Sequence, residues 1–362
     1  MGHADSAGAT QARDLLVETT ARIFRDLAEP QSVLHAKDES WKKKLWGALE
    51  EAGLTRAWVP EALDGAGASL ADGFEVLRVS GSFAVAVPLA ETLLAGWLLT
   101  QAGLRVPAGT LTVAPVRDGN KLLLDPKGNI TGRANAVPFA RGADHIVFIG
   151  HKVQGRVVAV VSRAECRIEP AENIATEPRD GVLCVGAKPT AMADAPVHAS
   201  EENLRTLGAA IRAAQMSGAL QAILDRTVAY ANERVAFERQ ISKFQVIQHN
   251  LARLAGESAA ALAAAGSAAD TIDSAGSFDE AVFLEVAAAK IRVGEAATEG
   301  AAIAHQVHGA IGFSSEHALH RFTQRLWAWR DDFGSESEWA VRLGKLVAAQ
   351  GADALWPMLS AR

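Results

Sequence analysis

Hydrophobic and polar residues alternate with two different periods along this chain, and the change of period divides it into three parts. Between about residues 14 and 103 the apolar positions recur at helical spacing, as in LAETLLAGWLL over 89–99. Between about residues 110 and 196, short β-branched runs such as DHIVFIG over 144–150 alternate with Gly, Pro, Asn and Asp. Runs of that kind are typical of strands joined by turns.

Beyond Pro196 a single proline remains, Pro357, and alanine becomes frequent. Long helices are predicted here, at about 203–232, 243–273, 278–308 and 336–350. We therefore predict an α+β fold. It comprises an N-terminal helical domain over 1–108, a central small antiparallel β domain over 109–198, and a C-terminal four-helix bundle over 199–362.

Composition argues against several classes of protein. Of the 362 residues, 49% are hydrophobic and 22% charged, as in ordinary globular proteins. The net charge of −6 and the lack of a long Lys/Arg stripe argue against nucleic-acid binding. No apolar run reaches the ~18–20 residues of a membrane span. Two cysteines and no basic-then-apolar leader favour a reducing cytoplasm without a disulfide framework.

Two stretches of the last third carry the candidate chemistry. The first reads RVAFERQISKFQ over 234–245 and contains Arg234, Phe237 and Gln245. A guanidinium offers a fixed fork of N–H donors, which suits a diphosphate. The second reads QVHGAIGF over 306–313 and begins 61 residues after Gln245.

These stretches resemble the two FAD-binding motifs of the acyl-CoA dehydrogenases, Arg-x-x-Phe-Gly…Gln and Gln-x-x-Gly-Gly-x-Gly. The order of helices, β domain and bundle also resembles that family over nearly the whole chain. By this resemblance, Arg234 would reach the pyrophosphate of an FAD bound mainly by a neighbouring subunit, and Gln245 would lie near its adenosine half. Glu238 departs from the motif, because glycine is usual there.

The second motif is expected to present backbone and a glutamine to the same FAD. Gln306 and Gly309 match the motif, and Ala310 replaces its second glycine. Alanine can still offer its N–H group where φ is negative. No metal site is predicted, although His-x-x-His occurs twice, because no carboxylate or thiolate completes a ligand set.

The base expected of this family is missing from the sequence. One family position lies 27 residues after the motif glutamine, which is Phe333, and the other lies 26 residues before the motif arginine, which is Gly208. Asp332 is the fallback base, although a solvated turn or a salt bridge to Arg330 is the favoured interpretation of Asp331 and Asp332. No catalytic residue is therefore assigned.

The segments expected against the flavin ring also depart from the family pattern. Residues 112–119 read TVAPVRDG without the Gly-Ser-Asp continuation, and Ala136-Val137-Pro138 stands where Trp-x-Thr is usual. The resemblance thus implies good contacts to a neighbour's FAD and a poor ring pocket in this chain. It is similar to the shorter subunits of bacterial heterotetrameric acyl-CoA dehydrogenases, whose partner keeps the base.

We therefore predict a subunit of an FAD-dependent acyl-CoA dehydrogenase that oxidises an acyl-CoA between Cα and Cβ. Its expected partners are a homologous subunit or a second copy of itself, with electron-transfer flavoprotein as a candidate electron acceptor. Three alternatives stay open: a self-sufficient homo-oligomer using Asp332, a flavin monooxygenase of the same fold, and an interaction protein without catalysis.

Overall fold

The computed structural model describes residues 2–360 and has helices at both ends of the chain with a sheet between them. The first helices are α1 Gly2–Ala28, α2 Pro30–Leu34, α3 Ser40–Glu51, α4 Leu70–Gly81 and α5 Leu89–Gln101. Every residue from Leu89 to Leu99 is buried, which explains why α5 is apolar on all faces. Among the described residues, no helix has the length and apolarity needed to cross a bilayer.

The sheet contains the eight strands β1 Leu111–Val113, β2 Lys121–Leu124, β3 Ile130–Pro138, β4 His145–His151, β5 Arg156–Ser162, β6 Cys166–Glu169, β7 Arg179–Ala187 and β8 Pro189–Asp194. Their order is β6-β7-β3-β2-β4-β5-β8, with β1 beside β4. Most neighbours are antiparallel, as predicted, but β1–β4 and β2–β4 are parallel. A parallel pair needs a long crossover, which the intervening strands supply.

The chain after the sheet forms α6 Glu201–Glu233, the hairpin β9 Val235–Ala236 and β10 Arg239–Gln240, α7 Gln245–Ala275, α8 Glu280–His308, α9 Leu319–Asp331, α10 Glu336–Gln350 and α11 Ala352–Ser360. Four of these helices match the predicted segments. The sequence analysis missed α9, which is rich in charged and aromatic residues, and α11, which contains Pro357.

The α+β fold is confirmed, with its largest core inside the helices. α6, α7 and α8 pack along one another, and α9 and α10 pack against α8. Ala261, Ala265, Ala268 and Ala269 are buried on α7, where small side chains allow close helix approach. A second core lies within the sheet around Phe148. The domain boundaries at 108 and 198 stay predictions.

Candidate functional site

The turn after α9 brings together the two positions at which a base was sought. Phe333 has a φ of 58° and its carbonyl accepts a hydrogen bond of 3.1 Å from Trp339 Nε1. Its ring lies over Gly208 on α6: a Cβ built on Gly208 would fall 2.3 Å from Phe333 Cδ1. The phenylalanine ring therefore fills the space that a side chain at 208 would need.

Asp332 turns inward, but two arginines hold its carboxylate. Its Oδ2 atom lies 2.7 Å from Arg179 Nη2 and 3.0 Å from Arg212 Nε. Burial opposes ionisation of this carboxyl group, but the positive charges of Arg179 and Arg212 outweigh burial and lower the pKa of Asp332. A carboxylate stabilised in this way is a weak base.

The sequence favoured a solvated turn or a salt bridge to Arg330 for both adjacent aspartates. This interpretation applies to Asp331 and not to Asp332. The side chain of Asp331 is 70% exposed, with its Oδ1 atom 3.8 Å from Arg330 Nε. Asp332 instead belongs to an internal ion-pair network. The sequence gives no local signal for this difference between neighbours, because it depends on which side of the turn meets the sheet.

That network joins all three parts of the chain through Arg212. Arg212 is buried and pairs with Glu91 of α5 at 2.6 Å as well as with Asp332. Next to it, Glu177, which precedes β7, pairs with Arg325 of α9 at 2.9 Å. Sequence reasoning missed these residues. A sequence feature that could have identified such residues is a charged side chain inside an apolar helical run, as for Arg212 in LGAAIRAAQM.

Lys290 of α8 stabilises the same turn through hydrogen bonds to its backbone. It is buried, and its Nζ atom donates to the carbonyl oxygens of Trp329 at 3.0 Å and Arg330 at 2.7 Å. Burial lowers the pKa of Lys290 to about 8. These two bonds satisfy carbonyl groups at the end of α9 that have no partner within the helix.

A cavity of about 610 Å³ opens beside Phe333, between the sheet and the helices. Its sheet side includes Pro115 to Asp118, Ala136 and Pro138, the segments expected against a flavin ring. Its helix side includes Arg205 and Arg342. The volume lies within the usual ~300–1,000 Å³ range of ligand pockets. The cavity is thus lined by the segments expected against a flavin ring and by Phe333, one of the two positions at which a base was sought.

The first candidate motif lies at the opposite end of α6. Arg234 directly follows this helix and is exposed, and its side chain has no hydrogen-bond or ion-pair partner among the side chains that the structure describes. The hairpin β9–β10 then projects Phe237, which is 91% exposed. Phe237 and Glu238 both have positive φ, 51° and 64°. Gln245, also exposed, begins α7.

The second candidate motif ends α8 at the same end of the bundle. Gln306 is exposed, Gly309 has a φ of 65°, and Ala310 follows in a short 3₁₀ turn. The ring of Tyr230, near the end of α6, stacks on His308 at 4.4 Å. This contact joins the end of α6, just before the first motif, to His308 of the second motif.

The predicted cofactor residues therefore form one exposed group. Arg234, Gln245 and Gln306 present polar side chains without partners among the described residues, beside the backbone of Gly309 and Ala310. Such a surface, with free donors and little side-chain cover, fits the phosphate and adenosine parts of a dinucleotide.

The histidines near this surface make hydrogen bonds within the helical bundle. His305 Nε2 lies 2.9 Å from Thr323 Oγ1, and His308 Nδ1 lies 2.8 Å from the Ala304 carbonyl. Burial lowers the pKa of His308 to about 4. Among the residues whose side chains the structure describes, no group of three or more His, Cys, Asp or Glu is arranged to hold a metal ion.

Known proteins resemble both the sequence and the fold. The family model "Acyl-CoA dehydrogenase, C-terminal domain" matches residues 204–330. Acyl-CoA dehydrogenase IpdE2 of Mycobacterium tuberculosis is 29% identical over 321 residues, covering 87% of this chain and 91% of that protein.

Two solved structures share the fold at low sequence identity. The ChsE4-ChsE5 complex from Mycobacterium tuberculosis superposes with a TM-score of 0.84 at 23% identity, covering 94% of this chain and 98% of the other. A Tcur3481-Tcur3483 steroid ACAD variant superposes with a TM-score of 0.82 at 23% identity, covering 94% and 99%.

Proposed function

Because this chain belongs to the acyl-CoA dehydrogenase family, we propose that it is the FAD-contact subunit of a hetero-oligomeric acyl-CoA dehydrogenase. In this proposal a homologous partner carries the catalytic base and the ring pocket. The contact between Phe333 and Gly208 carries the proposal: neither residue can accept a proton, and the Phe333 ring occupies the space that a side chain at 208 would need.

Oxidation of an acyl-CoA between Cα and Cβ needs a base for the α-proton and an acceptor for the β-hydride. A flavin supplies the hydride acceptor when it is bound. A base must lie within hydrogen-bond reach of the proton that it removes. In this chain, the nearest substitute carboxylate, Asp332, is held by Arg179 and Arg212. The proton would therefore leave to a residue of the partner.

The length of α6 supports the proposal that two chains share the contacts to one FAD. Within α6, 26 residues separate Gly208 from Arg234 at its carboxyl end, and a rise of ~1.5 Å per residue makes this about 39 Å. An extended FAD molecule is much shorter than that. One FAD therefore cannot contact both the cavity beside Phe333 and the exposed group around Arg234. This separation supports the proposal that the group contacts an FAD whose ring lies in another subunit.

The relatives indicate the kind of partner and substrate. One structural neighbour is a complex of two named chains, ChsE4 and ChsE5, and another is described as a steroid ACAD. We accordingly propose an acyl-CoA with a fatty or steroid-derived acyl group as substrate. Electron-transfer flavoprotein stays a candidate acceptor of the electrons.

Purifying the chain alone and together with a candidate homologous subunit tests the proposal. The measurements are flavin bound per chain and bleaching of flavin absorbance by acyl-CoAs. We expect substoichiometric FAD and little bleaching for the chain alone, and full occupancy with rapid bleaching for the complex. Replacing the partner's catalytic glutamate should abolish turnover. Full occupancy and rapid bleaching without any partner would contradict the proposal and favour the homo-oligomer.

A further inference from the structure

The chain's two cysteines lie opposite each other on neighbouring strands of the sheet. Cys166 begins β6, Cys184 lies within β7, and the two are direct partners in the antiparallel ladder. Their Sγ atoms are 3.5 Å apart, and both thiols are free. No other cysteine occurs in the 362-residue sequence.

The backbone geometry of this pair suits a covalent bond. Directly opposed residues of an antiparallel pair have Cα atoms ~4.5–5.5 Å apart. Disulfides span Cα separations of ~4.4–6.8 Å, with an S–S bond of ~2.05 Å. The two sulfurs need to approach by only about 1.5 Å to reach bonding distance. We propose that Cys166 and Cys184 form a reversible intramolecular disulfide, with hydrogen peroxide as the oxidant.

Access to the two sulfurs assigns their roles. β6 lies at one end of the strand order, and Cys166 is half-buried, whereas Cys184 is 1% exposed. The Cys166 thiolate would attack a peroxide oxygen, breaking the O–O bond to form a sulfenic acid and release hydroxide. Cys184 would then attack that sulfur and break the S–O bond. The hydroxyl group takes up a proton and leaves as water, so two thiols are oxidised as one peroxide is reduced to two waters.

The reaction is expected to be slow. The hydrogen bond between the two thiols and burial raise the pKa of Cys166, whereas the same hydrogen bond lowers the pKa of Cys184. The more accessible sulfur therefore carries the smaller fraction of reactive thiolate. A pair with these properties suits lasting oxidation better than rapid peroxide sensing.

The loop that the disulfide would close contains contacts between the sheet and the helices. Glu177 and Arg179 lie between the two cysteines and pair with Arg325 and Asp332 of the helical part. A cross-link around this loop restricts the unfolded chain. Oxidation is therefore expected to raise the thermal midpoint of unfolding by at least about 2 °C.

Peroxide treatment of the full-length chain followed by peptide mapping without reductant tests the inference. We expect the intact protein to become lighter by two hydrogen atoms and to lose both titratable thiols. Trypsin should release residues 164–167 linked to residues 180–205, since Pro189 blocks cleavage after Lys188. Dithiothreitol should restore both thiols. Two thiols remaining after prolonged treatment, or oxygen adducts without the linked peptides, would overturn the inference.

Cys166→Ser and Cys184→Ser serve as matched controls. Neither variant should yield the linked peptides, and peroxide should not raise the thermal midpoint of either one. A covalent dimer of the wild-type chain on a non-reducing gel, in place of the internal link, would also overturn the inference. The proposal depends on the sheet alone, so its outcome is independent of the proposed function.

Discussion

The ring of Phe333 lies so close to Gly208 that a Cβ on Gly208 would fall 2.3 Å from Phe333 Cδ1. The two residues are far apart in sequence, yet the packing of the α9–α10 turn on α6 makes them direct neighbours. The resemblance to acyl-CoA dehydrogenases marks each of them as a position at which that family can place its base. Neither residue carries a carboxylate, and the contact leaves no room for a side chain at 208.

Gly208→Ala should destabilise the protein by about 1–3 kcal/mol, because the added methyl group overpacks against Phe333. Urea unfolding at neutral pH measures this loss. The matched control is Gly266→Ala on α7, where nothing lies within 4 Å of the added Cβ and a gain of up to about 1 kcal/mol is expected. Phe333→Ala should relieve much of the penalty in the double variant. Additive effects would show that the two residues do not interact.

Asp332→Asn should reduce stability by about 3 kcal/mol, since Arg179 and Arg212 lose their shared carboxylate. In the assembled complex, turnover should change less than about tenfold, short of the ~10²–10⁴-fold contributed by a general base. Stopped-flow flavin reduction measures the second effect. A loss of a hundredfold or more with flavin still bound would identify Asp332 as this chain's own base.

The stabilising effect of Asp332 should depend on pH. Its pKa is lowered from an ordinary 3.8, so the folded state favours the ionised form. This stabilisation is complete above the ordinary pKa and is lost as the pH falls through the lower, folded-state value. The difference in unfolding free energy between wild type and Asp332→Asn should accordingly be constant near neutrality and shrink below about pH 4.

Arg234→Ala should weaken FAD binding by the complex roughly ten- to hundredfold, the equivalent of ~1.5–3 kcal/mol for a charge-assisted contact. Folding should change little, because the side chain is exposed and without partners among the described residues. Lys243→Ala, an equal loss of charge at an exposed neighbour, is the control. Fluorescence titration with FAD measures the affinity of both variants. Unchanged affinity for Arg234→Ala would show that Arg234 is an ordinary surface charge.

Glu238→Gly should strengthen FAD binding and leave stability equal or higher. The residue has a φ of 64°, which glycine adopts more easily, and its carboxylate lies in the hairpin beside the proposed phosphate site. Glu238→Gln separates the two causes, because it removes only the charge. Equal affinities for wild type and both variants would place Glu238 away from the cofactor.

His308 should make stability fall on acidification. Its pKa is lowered from 6.5 to about 4, so between these values the unfolded chain binds more protons and stability rises with pH. The slope contributed by one such group is at most about 1.36 kcal/mol per pH unit. His308→Phe should reduce the slope measured by urea unfolding between pH 4 and 6.5. The control His249→Phe, at an exposed position on α7, should leave this slope unchanged.

The local sequence was sufficient to predict the four long helical segments and both candidate cofactor stretches. Helix periodicity and motif spacing are short-range properties, so they remain readable without knowledge of packing. The same is true of the residue types at 208 and 333, which already showed that neither position holds a carboxylate. The parallel strand pairs escaped prediction because strand partners are chosen across long connections.

Only the tertiary structure decided how distant residues combine. It turned Asp332 toward Arg179 and Arg212 while leaving Asp331 exposed, although the two are adjacent in sequence. It also set Phe333 over Gly208 and brought Cys166 within 3.5 Å of Cys184. These relationships depend on how helices and strands pack once their apolar faces are buried, and no spacing along the chain specifies them.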